Sequence, residues 1–177
     1  MNRIHQDNQP NFVERMLLKT FGKPEGLLGR IGGYILAMGK REPIAWFIDL
    51  LNVTSHDRVL EVGFGPGAAV AALSVKAAHV AGADVSDVMV EQARARNAHA
   101  IAAGRVELHQ GSAERLPFAD NSFDKALSIN SIQLWPDPLA GLREIHRVLK
   151  PQGRLALGFV RPALWFVDEA ERRLSET

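Results

Sequence analysis

The chain has 177 residues, a formal net charge of +1, 46% apolar and 23% charged residues, and no cysteine. The length suits one domain with a substantial core, and the composition is that of a folded globular protein rather than a disordered one. The balanced charge, without a dense Lys/Arg block, predicts no nucleic-acid partner, and the missing cysteine excludes disulfides, thiolate metal sites and a cysteine nucleophile.

In chain order, "MNRIHQDNQPNF" is polar and lacks the apolar centre of a secretory signal. No apolar stretch reaches the ~18–20 residues of a membrane span, so a cytoplasmic protein without a membrane partner is expected. "NFVERMLLKTF" carries Phe12, Met16, Leu17 and Phe21 on one helical face, and a glycine-rich linker follows from Gly22 to Gly33. "EPIAWFIDLL" predicts a further helix, with Pro43 in its first turn and Trp46, Phe47 and Leu50 as its apolar stripe. Residues 1–55 are read as an N-terminal helical lid segment, lying over a ligand site or covering a sheet face. A core domain, 56–177, follows.

From residue 58 the pattern alternates. "RVLEV" is a short apolar strand, "AAVAALSVKAA" a helix and "HVAGADV" a second strand. Ser86 caps a helix through "DVMVEQARARNAHAIAA" that Gly104 closes. "RVELHQ" and "FDKALSI" are the third and fourth strands. Asp137 and Pro138 start a helix with Leu139, Leu142, Ile145 and Leu149 on one face, ending at "KPQG". "GRLALGFV" is a fifth strand, and "ALWFVDEAERRLSET" begins a last helix. Apolar strands alternating with helices imply an α/β, Rossmann-like three-layer sandwich. Its sheet is mostly parallel, with about five strands, and a ligand lies outside the strands' carboxyl ends where the order reverses.

The first strand ends in "EVGFGPGA". Gly63, Gly65 and Gly67 permit a tight turn and let main chain approach a ligand, and the following helix points free N–H groups at the same place. With Ala68 the loop also satisfies a dinucleotide fingerprint, and Asp84 lies 21 residues after Gly63, where a ribose-binding acid is expected. An NAD-dependent oxidoreductase is therefore a rival reading. Glu61 tells against it: a carboxylate two residues before the first glycine repels a pyrophosphate but suits an ammonium group. S-adenosylmethionine offers an amino-acid end, a sulfonium and a ribose. The plain alternative for Glu61 is a strand-end carboxylate paired with Arg58 or a backbone N–H.

"VLEVGFGPG", "GADVSDVMVEQA", "GSAERLPFADNSFDKALSINSIQLWPDP" and "LREIHRVLKPQGRLAL" together resemble class I S-adenosylmethionine-dependent methyltransferases. The likeness is to the small-molecule branch similar to the ubiquinone/menaquinone biosynthesis methyltransferases, and it covers residues 58 to about 160 in order. The resemblance implies that Glu61 reaches the methionine amino group, and that Gly63, Phe64, Gly65 and Gly67 wrap the methionine moiety. It gives Asp84 the ribose hydroxyls, although a capping role for the helix at Ser86 is open. Val85 and Met89 would pack on the adenine, unless Met89 is simply core. Related sequences usually carry Asp where this one has Ser112; a hydroxyl still accepts a hydrogen bond, for roughly 1 kcal/mol or less of lost binding. Ala113 offers its N–H to the adenine. Asn130 faces the transferable methyl, as a weak catalytic candidate, or else is a turn residue. Gln133 and Trp135 line an acceptor pocket, or Trp135 is a packing anchor.

The histidines show no metal-ligand spacing, and no metal is assigned. Arg143, Glu144, Arg147 and Lys150 read as a solvated helix face. Methyl transfer from a sulfonium is an in-line displacement to a small-molecule acceptor, yielding S-adenosylhomocysteine. It needs alignment and water exclusion rather than a covalent intermediate. About seventeen residues follow "GRLALGFV", too few for the family's usual helix and terminal β-hairpin. The fifth strand would then be an edge, shielded by a partner such as a second copy in a homodimer, or the chain is a shortened relative. The shortening leaves a cofactor-binding module without independent catalysis as a further alternative.

Overall fold

The computed structural model describes residues 41–159. The helix expected at 11–21, the Gly22–Gly33 linker, the helix after residue 160 and the presence or absence of a terminal hairpin lie outside these residues.

The described chain runs α1 (Arg41–Leu50), β1 (Arg58–Val62), α2 (Ala68–Ser74), β2 (His79–Asp84), α3 (Asp87–Arg96), α4 (Ala98–Ala102), β3 (Val106–Gln110), β4 (Phe123–Ile129), a 3₁₀ turn (Ile132–Leu134), α5 (Pro138–Val148) and β5 (Leu149–Gly158). The five strands form one sheet in the order β3-β2-β1-β4-β5, every pair parallel. β1 pairs with β2 on one side and β4 on the other, so the order reverses between β1 and β4. A crevice opens at such a reversal, outside the strands' carboxyl ends. No helix among the described residues is long and apolar enough to cross a membrane.

The strands are apolar on both faces because both faces are covered. On one side Val59, Val80, Leu127 and Ala156 pack against Phe47, Ile48, Leu51, Val70, Leu73 and Val90 from the helical segments. On the other, Leu60, Val62, Ala81 and Ala126 meet Ile145 and Val148 of α5 and the Ala113–Phe118 loop. Three layers result.

Local chemistry fixes the ends of the helices. The Ser86 side chain accepts from the Met89 N–H at 3.4 Å, and Asp137 accepts from the Ala140 N–H at 3.0 Å with Pro138 in the first turn. Gly104 takes φ +70° after α4, the left-handed conformation that glycine adopts without strain.

Four details differ from the sequence reading. In α1 the inward residues are Phe47, Ile48 and Leu51, while Trp46 and Leu50 are more than half exposed. The single helix expected after Ser86 breaks at Asn97, whose buried amide donates to the Ala93 and Gly67 carbonyls. The inward face of α5 is Gly141, Ile145 and Val148, not Leu139 and Leu142, because the Trp135 ring lies over Gly141 and excludes a larger residue there. Finally, β5 begins at Leu149, so "KPQG" belongs to an irregular stretch of strand opposite Phe123 and Lys125.

Candidate cofactor site at the carboxyl ends of the strands

A parallel sheet delivers all its strand ends to one rim. β1 brings Glu61 and the glycine loop there, β2 brings Asp84, β3 leads into Ser112 and Ala113, and β4 ends at Asn130. Backbone bonds lock these ends together. Gly63 N–H donates to Ala83 O at 2.7 Å, Gly111 N–H to Asp84 O at 3.0 Å, and Asn130 N–H to Gly158 O at 2.7 Å. The Ser128 hydroxyl ties β4 to β1 through Val62 O at 2.9 Å.

The glycine loop is a bare, bent stretch. Gly63, Gly65 and Gly67 have φ of +73°, +50° and +76°. A Cβ at Gly63 would run into the Ser131 side chain, and one at Gly67 would come within 2.8 Å of both Asn97 Nδ2 and Ala93 Cβ. Only glycine satisfies both the dihedral and the space. Phe64 turns its ring into the core against Gly82 and is fully buried, so its backbone alone faces the loop's outer side.

Glu61 is fully buried, and neither carboxyl oxygen makes a well-formed hydrogen bond, although the Val70 N–H approaches. Arg58 is not its mate, because that side chain donates to Ser122 O at the far end of β1. Burial pushes the Glu61 carboxyl well above its ordinary range; the Asp84 charge adds to this and the Val70 N–H opposes it least of the three. An orphaned buried carboxyl beside a bare glycine loop fits a ligand carrying an ammonium group.

Asp84 is 6% exposed and braces the loop. Its Oδ2 accepts from Gly65 N–H at 2.8 Å and its Oδ1 from Ser86 N–H at 2.9 Å. Burial raises its pKa while those two N–H groups pull it down. Asp84 thus holds the residue that caps α3, the cap itself being Ser86, and each oxygen keeps a further lone pair for a ligand hydroxyl.

The remaining residues divide. Ala113 is buried, Ser112 half-buried, Met89 buried on α3 and Val85 71% exposed at the rim. Asn130 is buried with φ +53°, a left-handed conformation that asparagine tolerates better than most residues. Its carbonyl accepts from the exposed Gln133 amide at 2.6 Å. Trp135 packs over Gly141 and donates its indole N–H to Ser131 Oγ at 2.8 Å, which makes it an anchor of the turn. Among the described residues no group of three or more His, Asp and Glu has metal-holding geometry.

Four contributors had weak or no sequence signal. Ser131, under Gly63, had none. Asn97 was visible as an Asn within a helix pattern. Arg147 and Glu144 are not a solvated face: Arg147 makes a bidentate pair with Glu144 at 2.7 and 2.8 Å and donates to Leu116 O, Phe118 O and Asp120. Glu144 also accepts from Leu116 N–H at 2.9 Å. The pair clamps the loop that follows Ser112 and Ala113 onto α5. Arg147→Met should lower the unfolding free energy by about 1–3 kcal/mol, read as a lower urea midpoint at unchanged m, after allowance for partial exposure. Arg147→Lys should restore little, since a point charge cannot replace the planar fork; a fully stable lysine variant would show the clamp to be simple charge.

The geometry has counterparts among known proteins. A family model described as a methyltransferase domain matches residues 60–157. The chain is 37% identical over 129 residues to the uncharacterized methyltransferase YdaC of Bacillus subtilis, covering 72% of this chain and 69% of that one. It is 40% identical over 107 residues to a demethylmenaquinone methyltransferase of Corynebacterium kroppenstedtii, covering 60% of this chain and 43% of the relative. A solved SAM-dependent methyltransferase from Aquifex aeolicus superposes with a TM-score of 0.59 at 25% identity, over 64% of this chain and 62% of that one. The chain thus spans about two thirds of YdaC and less than half of the demethylmenaquinone enzyme. With a matched domain from Leu60 to Leu157, a five-stranded parallel sheet and an acid-and-glycine rim at its reversal point, the chain belongs to the S-adenosylmethionine-dependent methyltransferase family.

Proposed function

We propose that the chain binds S-adenosylmethionine at the rim of β1, β2, β3 and β4 and transfers its methyl group to a small-molecule acceptor. The observation that carries this reading is Glu61, a fully buried carboxyl without a well-formed hydrogen bond beside a loop that only glycines can form. A cationic amino-acid end satisfies such a group; a pyrophosphate does not.

Glu61 and the Gly63–Gly67 loop hold the methionine end. Asp84 takes the ribose hydroxyls on lone pairs left over from Gly65 and Ser86. Met89 and Val85 flank the adenine, Ala113 N–H and the Ser112 hydroxyl meet its edge, and Asn130 stands toward the transferable methyl. The bound cofactor supplies an already activated methyl. The chain's own contribution is to fix geometry and keep water out, an effect that reaches roughly 7–11 kcal/mol when alignment is good. The 132–135 turn, with Gln133 exposed, borders the acceptor.

Titration calorimetry with S-adenosylhomocysteine and with NAD tests the donor. Binding of the former and none of the latter is expected; the reverse would assign an oxidoreductase. Mass spectrometry for S-adenosylhomocysteine, formed from S-adenosylmethionine in the presence of a cell's low-molecular-weight fraction, tests turnover. Binding without any product would leave a cofactor-binding module instead.

A further inference from the structure

Among the described side chains, no cation faces Glu61. β2 presents Gly82 directly opposite and Asp84 beyond it, and β4 presents Leu127. α2, with sequence AAVAALS, and the loop before it contain no titratable residue. The charged residues of α3, Asp87, Glu91, Arg94 and Arg96, are exposed. On α1, Asp49 is exposed and paired with Lys76. Arg58 is turned to Ser122 at the other end of β1. Among the described side chains the one facing charge is Asp84, of like sign. A carboxylate held dry beside another acid, with only the Val70 N–H to oppose its burial, sheds its charge by taking up a proton.

Resting on the cofactor reading above, we infer that capture of the cofactor is coupled to proton release. The Glu61 carboxyl is protonated in the ligand-free protein. Its O–H bond breaks and the proton passes to solvent when the ligand's ammonium group docks beside it. The ammonium takes the proton's place as counter-charge, so the net charge of the pocket does not change. Ligand binding lowers the acid's proton affinity, so affinity rises with pH by up to about tenfold per unit while Glu61 is protonated in the free protein. The rise levels off once Glu61 has lost its proton in the free protein as well.

The test is calorimetry of S-adenosylhomocysteine binding at pH 6.5 in buffers of differing ionisation enthalpy. Release of about one proton per ligand is expected for the wild type. Glu61→Gln should bind without release and with an affinity flat between pH 5.5 and 7.5. Binding by the wild type without proton release overturns the coupling and leaves the cofactor assignment standing. Equal release by Glu61→Gln overturns it too and places the proton elsewhere. Failure of S-adenosylhomocysteine to bind removes the cofactor reading and the coupling together. If the variant does not fold, infrared difference spectra of the wild type decide. Loss of a protonated-carboxyl band on adding S-adenosylhomocysteine supports the coupling, and an unchanged protonated-carboxyl band overturns it.

Discussion

Gly63→Ala should cost about 2–5 kcal/mol of folding stability, the sum of two strains that glycine alone avoids. The first is the left-handed backbone at φ +73°, worth about 1–2 kcal/mol for a residue with a Cβ. The second is the collision of that Cβ with Ser131, an overpacking of about 1–3 kcal/mol. Ser131 cannot easily withdraw, because it is buried and its Oγ is held by the Trp135 indole at 2.8 Å. Urea midpoints of Gly63→Ala, Ser131→Gly and the double variant separate the two strains. Ser131→Gly alone strands the Trp135 N–H and should lose about 1 kcal/mol. In the double variant the collision is gone and the backbone strain stays, so the two losses should sum to more than the observed one. A Gly63→Ala protein as stable as wild type would mean that the loop adjusts freely, and a preformed cradle for the methionine end would then have to be abandoned.

The strands were legible because burial on both faces leaves a plain apolar signature; "FDKALSI" coincides with β4 residue for residue. Caps were legible because Ser86 and Asp137 act within three residues of themselves. What was hidden depends on partners far away in sequence. The break at Asn97 exists because its amide reaches the Gly67 carbonyl, 30 residues earlier. Arg147 looked solvated because its acceptors Leu116, Phe118 and Asp120 lie 27–31 residues back. The face of α5 was misread because glycine gives no apolar signal, yet Gly141 is where Trp135 needs room. That Glu61, Asp84 and Asn130 come to one rim was readable from the strand pattern, since a parallel sheet collects its strand ends automatically. Orientation was not: nothing in the order of residues says that Phe64 turns to the core or that Asp84 already holds two backbone amides.

That double engagement shapes the prediction for Asp84. Asp84→Ala should weaken S-adenosylhomocysteine binding by about 1–3 kcal/mol, roughly five- to 150-fold, and should also destabilise the ligand-free protein. On the proposed reading the affinity loss would come from charge-assisted bonds to the ribose hydroxyls; the stability loss comes from stranding Gly65 N–H and Ser86 N–H. Asp84→Asn should recover little of either, because its NH₂ would point a donor at one of two N–H groups that both need an acceptor. Removing this acid also relieves Glu61 of its like-charged neighbour, so the Glu61 carboxyl should hold its proton less tightly in the variant. The two roles separate by measurement. If Asp84→Ala loses stability but binds S-adenosylhomocysteine as tightly as wild type, Asp84 is only a brace between the glycine loop and α3, and the ribose needs another partner. If affinity falls by more than the stability change explains, the brace and the ribose ligand are one carboxylate. The loop is then held in its bent form by the same group that reads the sugar.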